Sequence, residues 1–449
     1  MPCPHPVRVA VLLLGAGLAV TAAAQPAPLP FKPDVTVAAD GSGDFPTIQA
    51  AVASIPHDNR ERKIIFVKDG TYREKVRVEA NNVTLRGQSR AGTHLEFSQG
   101  LGEYRAATDK LGQAVLNIFG DDFVLENMVV QNTHGVIGTH AFAIFGRGDR
   151  TVIQDCDVLR QGNDTLSLWR TGTGQYSEDA GNHSNPDGRY YHARIKVCGS
   201  VDMICPRGWC YVIDSEFFEV NPKGTGGIWH DGCRNPDMKL VMRDCRFDGL
   251  ENWVLARWHR DGQFFFVDCK FSKAMGPREP YQYPIAPLHT DRPPTAAEIA
   301  LHDDYVVHNV WGKRVYFFNS HRDGGDYDWH RDNLASAPGS PQPEQITAKW
   351  TFAGKWDPES KTGPVVKNVR TSTDQAALTF SENVTVKGHP RLVLRNGSIA
   401  DYSSGSGSDK LVFTTSTADI AGAKLDFNGG TVVASEAGAT LRFASATLP

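Results

Sequence analysis

The chain has 449 residues, with 47 basic against 51 acidic side chains and a formal net charge of −4. At 40% hydrophobic and 22% charged it has the balance of a folded, soluble protein, which excludes a disordered chain. The small negative charge excludes a nucleic-acid binder, since phosphate contacts need a basic face.

Residues 1–24 read as an export signal. Arg8 precedes the apolar run Val9 to Val20, and Ala22-Ala23-Ala24 supplies small residues for cleavage. That run is shorter than the roughly 20 residues a membrane span needs, and no later stretch is long and apolar enough, so no membrane span is expected. A secreted or periplasmic protein follows. Cys3 leaves with the signal, and seven of the 8 cysteines remain. The odd number leaves at least one free or bridged to another chain, and Cys205 and Cys210, flanking a short loop, are candidates to pair. No pair of CxxC motifs suggests a zinc site, and no metal or cofactor is expected.

Residues Asp44 to Ile55 predict a short amphipathic helix. Pro46 suits its first turn, and Ile48, Ala51, Val52 and Ile55 keep helical spacing. A short pattern then recurs: apolar, spacer, Asp or Asn, small residue, spacer, apolar. It is read at Val124–Val130, Val152–Val158, Val212–Phe217, Val241–Phe247 and Phe266–Phe271. Met128 and Cys156 are 28 apart, Ser215 and Cys245 are 30 apart, and Cys245 and Cys269 are 24 apart. Strand-type repeats of that period predict a parallel β-helix, closed at its first coil by the helix. Alternation puts Met128, Cys156, Ser215, Cys245 and Cys269 in an inward column. Thr171 to Tyr190 read as an insertion, and Pro277–Pro294 and Arg322–Asn333 as decorating loops near the far end.

All nine Trp fall between Trp169 and Trp356. The turn-rich stretch Asp357 to Pro364 marks a boundary, giving a β-helical domain over 33–357 and a second over 364–449. The latter alternates like short strands separated by turns, as in a β-sandwich. It resembles bacterial immunoglobulin-like accessory modules and reads as a spacer. The fold class is all-β.

Three acid–base groups sit beside repeat units: Asp164, Asp202 and Arg257. Adjacent coils of a solenoid lie about 5 Å apart, so residues 38 and 55 apart in sequence can meet if Thr171–Tyr190 loops out. On spacing alone they can equally be surface carboxylates at coil corners.

The surrounding motifs decide between these. Gly41-Ser42-Gly43-Asp44-Phe45-Pro46-Thr47-Ile48-Gln49, Gly70-Thr71-Tyr72-Arg73-Glu74-Lys75-Val76, Gly148-Asp149-Arg150, Gln161-Gly162-Asn163-Asp164-Thr165-Leu166 and Gly199-Ser200-Val201-Asp202 occur in the order of the pectin methylesterase family. Residues 35–275 resemble that family of right-handed parallel β-helix esterases. The resemblance implies a carbohydrate esterase that releases methanol from methyl-esterified polygalacturonate. It implies Asp202 as nucleophile, Asp164 as general acid/base, and Arg257 as the arginine that holds the nucleophile. Two close carboxylates cannot easily both ionise, so one is expected to rise while the guanidinium depresses the other and holds Asp202 ionised and oriented.

Two departures are visible. The family's glutamine before the acid/base is Asn163 here, and the glutamine opening Gln-Ala-x-Ala is His140. Those glutamines donate to the developing oxyanion. Asn is one methylene shorter, and His can still offer one N–H. Trp258 is a candidate sugar-stacking residue. Competing readings are a galacturonan hydrolase or lyase of the same fold, or a non-catalytic exported β-helix. The expected partner is pectin, with no nucleic acid, and the chain is expected to be a monomer.

Overall fold

Left-handed aspartates and asparagines set the corners of this fold. The computed structural model describes residues 33–170, 187–231, 235–258, 261–283, 292–293, 295–297, 299–300, 309, 311–359, 366–417, 419–420, 422–426 and 431–434. The export signal over 1–24 lies outside them, as does most of the Thr171–Tyr190 insertion and of the proline-rich stretch beyond Tyr283. The chain divides into two units, one spanning Pro33–Ser360 and the other taking in Lys361–Pro449.

In the first unit, the Asp or Asn of each predicted repeat has positive φ: Asn127 (61°), Asp155 (53°), Asp214 (50°), Asp244 (52°) and Asp268 (55°). These two residue types visit the left-handed region most readily, because their short side chains bond locally. Each such residue turns the chain from one sheet into the next. Three sheets result, each pairing its strands in parallel. A ten-stranded sheet runs from Val35–Val37 to Val315–Phe318, a nine-stranded sheet from Gly70–Arg73 to His321–Arg322, and an eight-stranded sheet from Val76–Val78 to Tyr281–Gln282. The architecture is the parallel β-helix the repeats predict.

The residue after each left-handed corner points inward. Met128, Cys156, Ser215, Cys245 and Cys269 are all buried, forming the expected interior column. Aromatic rings stack along the same core, as Phe217 on Phe247 at 5.1 Å and Phe266 on Phe317 at 5.3 Å.

The predicted helix forms over Ile48–Ala53 and buries Ile48, Ala51 and Val52 over the first coil. Thr47 caps it, and Glu74 accepts from the amides of Ile48 (2.8 Å) and Gln49 (3.0 Å). A carboxylate at a helix start satisfies amides with no partner of their own. Two motif segments are thus locked to each other for architectural reasons. At the far end, Arg322–Asn333 is more than decoration. Trp329 and buried His330 pack on Phe317, and Asp326 accepts from His321, from His330 and from the Arg322 amide. These bonds, against the opposing effect of burial, bring the Asp326 carboxyl down to about 2.

Cys205 and Cys210 do not pair. Both are free and buried, on strands Ile204–Arg207 and Trp209–Ile213 that the corner at Gly208 sends into different sheets. Cys198 is the cysteine that is disulfide-bonded among the described residues.

In the second unit the strands pair antiparallel in one seven-stranded network around Leu378, Phe380, Leu392, Leu411 and Phe413. The 13-residue strand Gln375–Lys387 pairs with Val366–Thr371 along its first half and with Thr431–Ala434 along its second.

Candidate active site

Asp164 and Asp202 each stand two residues before a strand of the eight-stranded sheet, Leu166–Trp169 and Ile204–Arg207, whose register pairs Leu166 with Ile204. They therefore occupy the same corner on successive coils, about 5 Å apart along the solenoid. Both are left-handed, at φ 59° and 55°, and the Asp164 amide donates to Val201 O at 3.0 Å. Both are buried.

Arg257 lies two strands further on, in Val254–Trp258. Its Nε donates to Asp202 Oδ1 at 2.8 Å and its Nη2 to Oδ2 at 2.6 Å. The guanidinium must cross the intervening strand Gly226–Trp229 to do so. A Cβ at Gly226 would stand 3.0 Å from Arg257 Cγ and 2.9 Å from the Ala256 carbonyl carbon, so only glycine leaves that path open. The Gly226-Gly227 pair was the available sequence signal for this crossing. Arg257 also lies over Tyr283, at 4.7 Å, an exposed ring that sequence reasoning missed.

His140 reaches the other carboxylate, with Nε2 3.0 Å from Asp164 Oδ2. Its backbone is fixed on two sides: it bridges to Asn163 as a parallel partner, and its carbonyl accepts from Leu101 N at 2.7 Å. Beneath runs Arg160, 1% exposed, donating to Thr139 O (2.7 Å), Asn163 O (3.0 Å) and Val136 O (3.2 Å). A Cβ at Gly162 would fall 1.8 Å from this guanidinium, which explains a glycine at that place in the turn. Burial lowers Arg160 to about 10, still protonated near neutrality.

Burial pushes the Asp202 carboxyl up; the Arg257 bonds and charge pull it back, the Asp164 charge adds to the rise, and the net direction is upward, opposite to the depression expected beside a guanidinium, because burial outweighs the arginine. A more basic carboxylate is a better nucleophile once ionised, and Arg257 holds it in one orientation. Arg257 is lowered by burial but ends above its ordinary range through its bonds to Asp202. Nearby Cys205 offers no thiolate, because burial, with the charges of Asp164 and Asp202, drives its thiol well up.

Four expected site residues thus come together: His140, Asp164, Asp202 and Arg257. The Asn163 amide is occupied in holding the corner, donating to Gly138 O at 3.3 Å and accepting from Ser200 Oγ at 2.8 Å. Trp258 contradicts the sugar-stacking expectation. Alternation along its strand turns Arg257 outward and Trp258 inward, where it is 3% exposed, packs on Phe264 and donates to Asn309 Oδ1 at 3.1 Å.

Residues 34–224 match the family model described as Pectinesterase. Among curated proteins, Pectinesterase 4 of Arabidopsis thaliana is 36% identical over 48% of this chain and 34% of its own length. A pectinesterase/pectinesterase inhibitor of Brassica campestris is 33% identical over 48% of this chain and 36% of its own. The chain thus spans about a third of the length of these relatives. Among solved structures, pectin methylesterases from carrot and from Erwinia chrysanthemi match with TM-scores of 0.53 and 0.55. They are 20% and 17% identical, cover 72% and 73% of this chain and 94% and 98% of their own, and share its fold.

Proposed function

We propose that this chain, a member of the pectinesterase family through residues 34–224, hydrolyses methyl esters of pectin and releases methanol. The observation that carries the reading is the bidentate grip of Arg257 on one of two stacked aspartates, while the other is left to move a proton.

The Asp202 carboxylate attacks the ester carbonyl carbon. The tetrahedral intermediate collapses with cleavage of the bond to the methoxy oxygen, which takes a proton from the Asp164 side of the site and leaves as methanol. Asp202 and the sugar carboxyl are then joined as an anhydride. Asp164 accepts a proton from water as its oxygen adds to the sugar carbonyl, and the bond to Asp202 breaks, freeing the Asp202 carboxylate and the sugar carboxylic acid, which then ionises in water. Every step uses side chains of this corner.

His140 Nε2 stands 3.0 Å from Asp164 Oδ2, which supports the sequence reading of it as a partner for developing negative charge. Asn163 keeps a supporting role through the corner it stabilises. Tyr283, exposed over Arg257, takes the place proposed for Trp258 as a ring for a sugar face. We place the enzyme outside the cytoplasm, as a monomer, where residues 1–24 would direct it and where pectin is found. No helix among the described residues is long and apolar enough to cross a membrane.

The test is methanol release from methyl-esterified polygalacturonate by the full chain. Methanol without new reducing ends is expected. New reducing ends, or unsaturated ends absorbing in the ultraviolet, would instead indicate a hydrolase or a lyase.

A further inference from the structure

A glutamine at position 140 could donate an N–H but never release it; an imidazole can do both. The structure puts that imidazole between solvent and a buried acid. The His140 side chain is 54% exposed and that of Asp164 only 4%, with 3.0 Å between Nε2 and Oδ2. The geometry is held from three directions, by Leu101 N on the His140 carbonyl, by the bridge to Asn163, and by the Arg160 guanidinium under both turns.

We infer that His140 and Asp164 share one transferable proton across this contact and work as a single acid/base unit, with His140 exchanging that proton with solvent. The inference rests on the esterase reading above. In the one-proton state the pair is imidazolium with carboxylate, or imidazole with carboxylic acid, and either form delivers a proton to the departing methoxide. After methanol leaves, the pair is neutral imidazole with carboxylate. It takes a proton from water as the hydroxyl adds to the anhydride carbonyl and the bond to Asp202 breaks. The product carboxylic acid then loses its proton to bulk water, so the pair ends each cycle as it began.

Asp164 and Asp202 favour the imidazolium, and Arg257 offsets Asp202 through its two hydrogen bonds. Arg160 donates through Nη1 and Nη2 to backbone carbonyls of the two turns beneath. On the adjoining helix Leu101–Ala106, Arg105 is exposed and Glu103 lies 3.5 Å from His134 Nδ1, a separate pair. Two interacting sites of this kind lose protons in steps that belong to the pair.

His140→Gln tests this, because it keeps an amide donor and removes the titrating ring on a half-exposed side chain. Each protein's methanol release is compared with its own rate near pH 5. By pH 8 the variant should have lost about tenfold or more relative to wild type on that scale, its alkaline limb having moved toward acid. Parallel profiles would overturn the inference. A second readout does not need activity: the His140 imidazole, assigned by its loss in His140→Gln, is titrated by NMR in the folded full chain. In Asp164→Asn its midpoint should fall, and an unmoved midpoint overturns the shared proton. A wild type that releases no methanol, with the midpoint shift present, would remove the esterase reading and leave the proton-sharing pair standing.

Discussion

Two columns of left-handed acidic corners run along the same solenoid and do opposite things. On one edge Asp155, Asp214, Asp244 and Asp268 turn the ten-stranded sheet into the nine-stranded sheet; on another, Asp164 and Asp202 turn the chain into the eight-stranded sheet. Backbone angles match, and in each column an aspartate is gripped by an arginine of a later coil. Asp155 accepts from Arg194 Nε at 2.8 Å and Nη2 at 3.1 Å, much as Asp202 accepts from Arg257. The difference lies in the neighbour on the next coil. Above Asp155 the equivalent corner is Arg194 itself, which neutralises it. Further along, Asp214, Asp244 and Asp268 repeat the acidic corner on successive coils, with Arg243 between Asp244 and Asp268. Beside Asp202 the equivalent corner is another carboxylate, with a half-exposed imidazole attached to it. Repeated charge occurs in both columns, so what distinguishes this pair is the solvent-facing imidazole on one of its carboxylates.

Exchanging the residues of the two columns should separate these roles. Asp202→Asn removes the attacking carboxylate and should lower methanol release per folded molecule by about 10⁴-fold or more, with some loss of stability because Arg257 loses its carboxylate. Asp155→Asn should cost stability alone. It strands the buried Arg194 guanidinium, so chemical denaturation should report a loss of about 3 kcal/mol, with activity per folded molecule retained. If Asp155→Asn abolishes turnover in protein that is still folded, the division between columns is wrong.

A smaller effect is expected from Gly226→Ala. The added methyl would press on Arg257 Cγ, displacing the guanidinium from Asp202 and lowering kcat by about 10- to 100-fold with KM little changed. Smallest is a pH effect from the core behind the Asp164 and Asp202 corners. Glu219 is fully buried, and burial, opposed by the Asn221 amide, raises its carboxyl to about 8. The folded state therefore binds this proton more tightly than the unfolded chain does. Its contribution is complete below about 4.5 and is lost as pH rises through about 8. Glu219→Gln should flatten the fall in denaturation free energy across that window, an effect of at most a few kcal/mol. A slope identical to wild type would show that Glu219 titrates as in the unfolded chain.

Much of this was legible in the residues. The Asp or Asn of each repeat announced a left-handed corner, and the small or sulfur-bearing residue after it announced the interior column, because both are dictated locally. Ordered motifs pointed to Asp164, Asp202 and Arg257. The rest depends on contacts between coils, which sequence order does not display. Trp258 looked like a platform for sugar because a tryptophan beside an arginine suits one, yet strand alternation lets only one of two neighbours face out, and the arginine takes that side. Cys205 and Cys210 are close in sequence but turn into different sheets. His140 was visible as a departure from glutamine; that its ring would meet Asp164 depended on Arg160 folding back under two turns, which no local pattern encodes. Arg194, a residue outside every one of the ordered motifs, is the structural partner of Asp155.

The guanidinium of Arg160 fills the volume that any side chain at position 162 would need. This corner is consequently a two-residue lock that cannot be opened one residue at a time. Introducing a larger residue at 162 with the arginine in place creates a collision, while trimming the arginine removes a donor that the Thr139, Asn163 and Val136 carbonyls share with Asn163 N, Ala141 N and Thr139 Oγ1. A larger residue at 162 therefore needs a smaller one at 160, and libraries that vary single positions will not sample the pair.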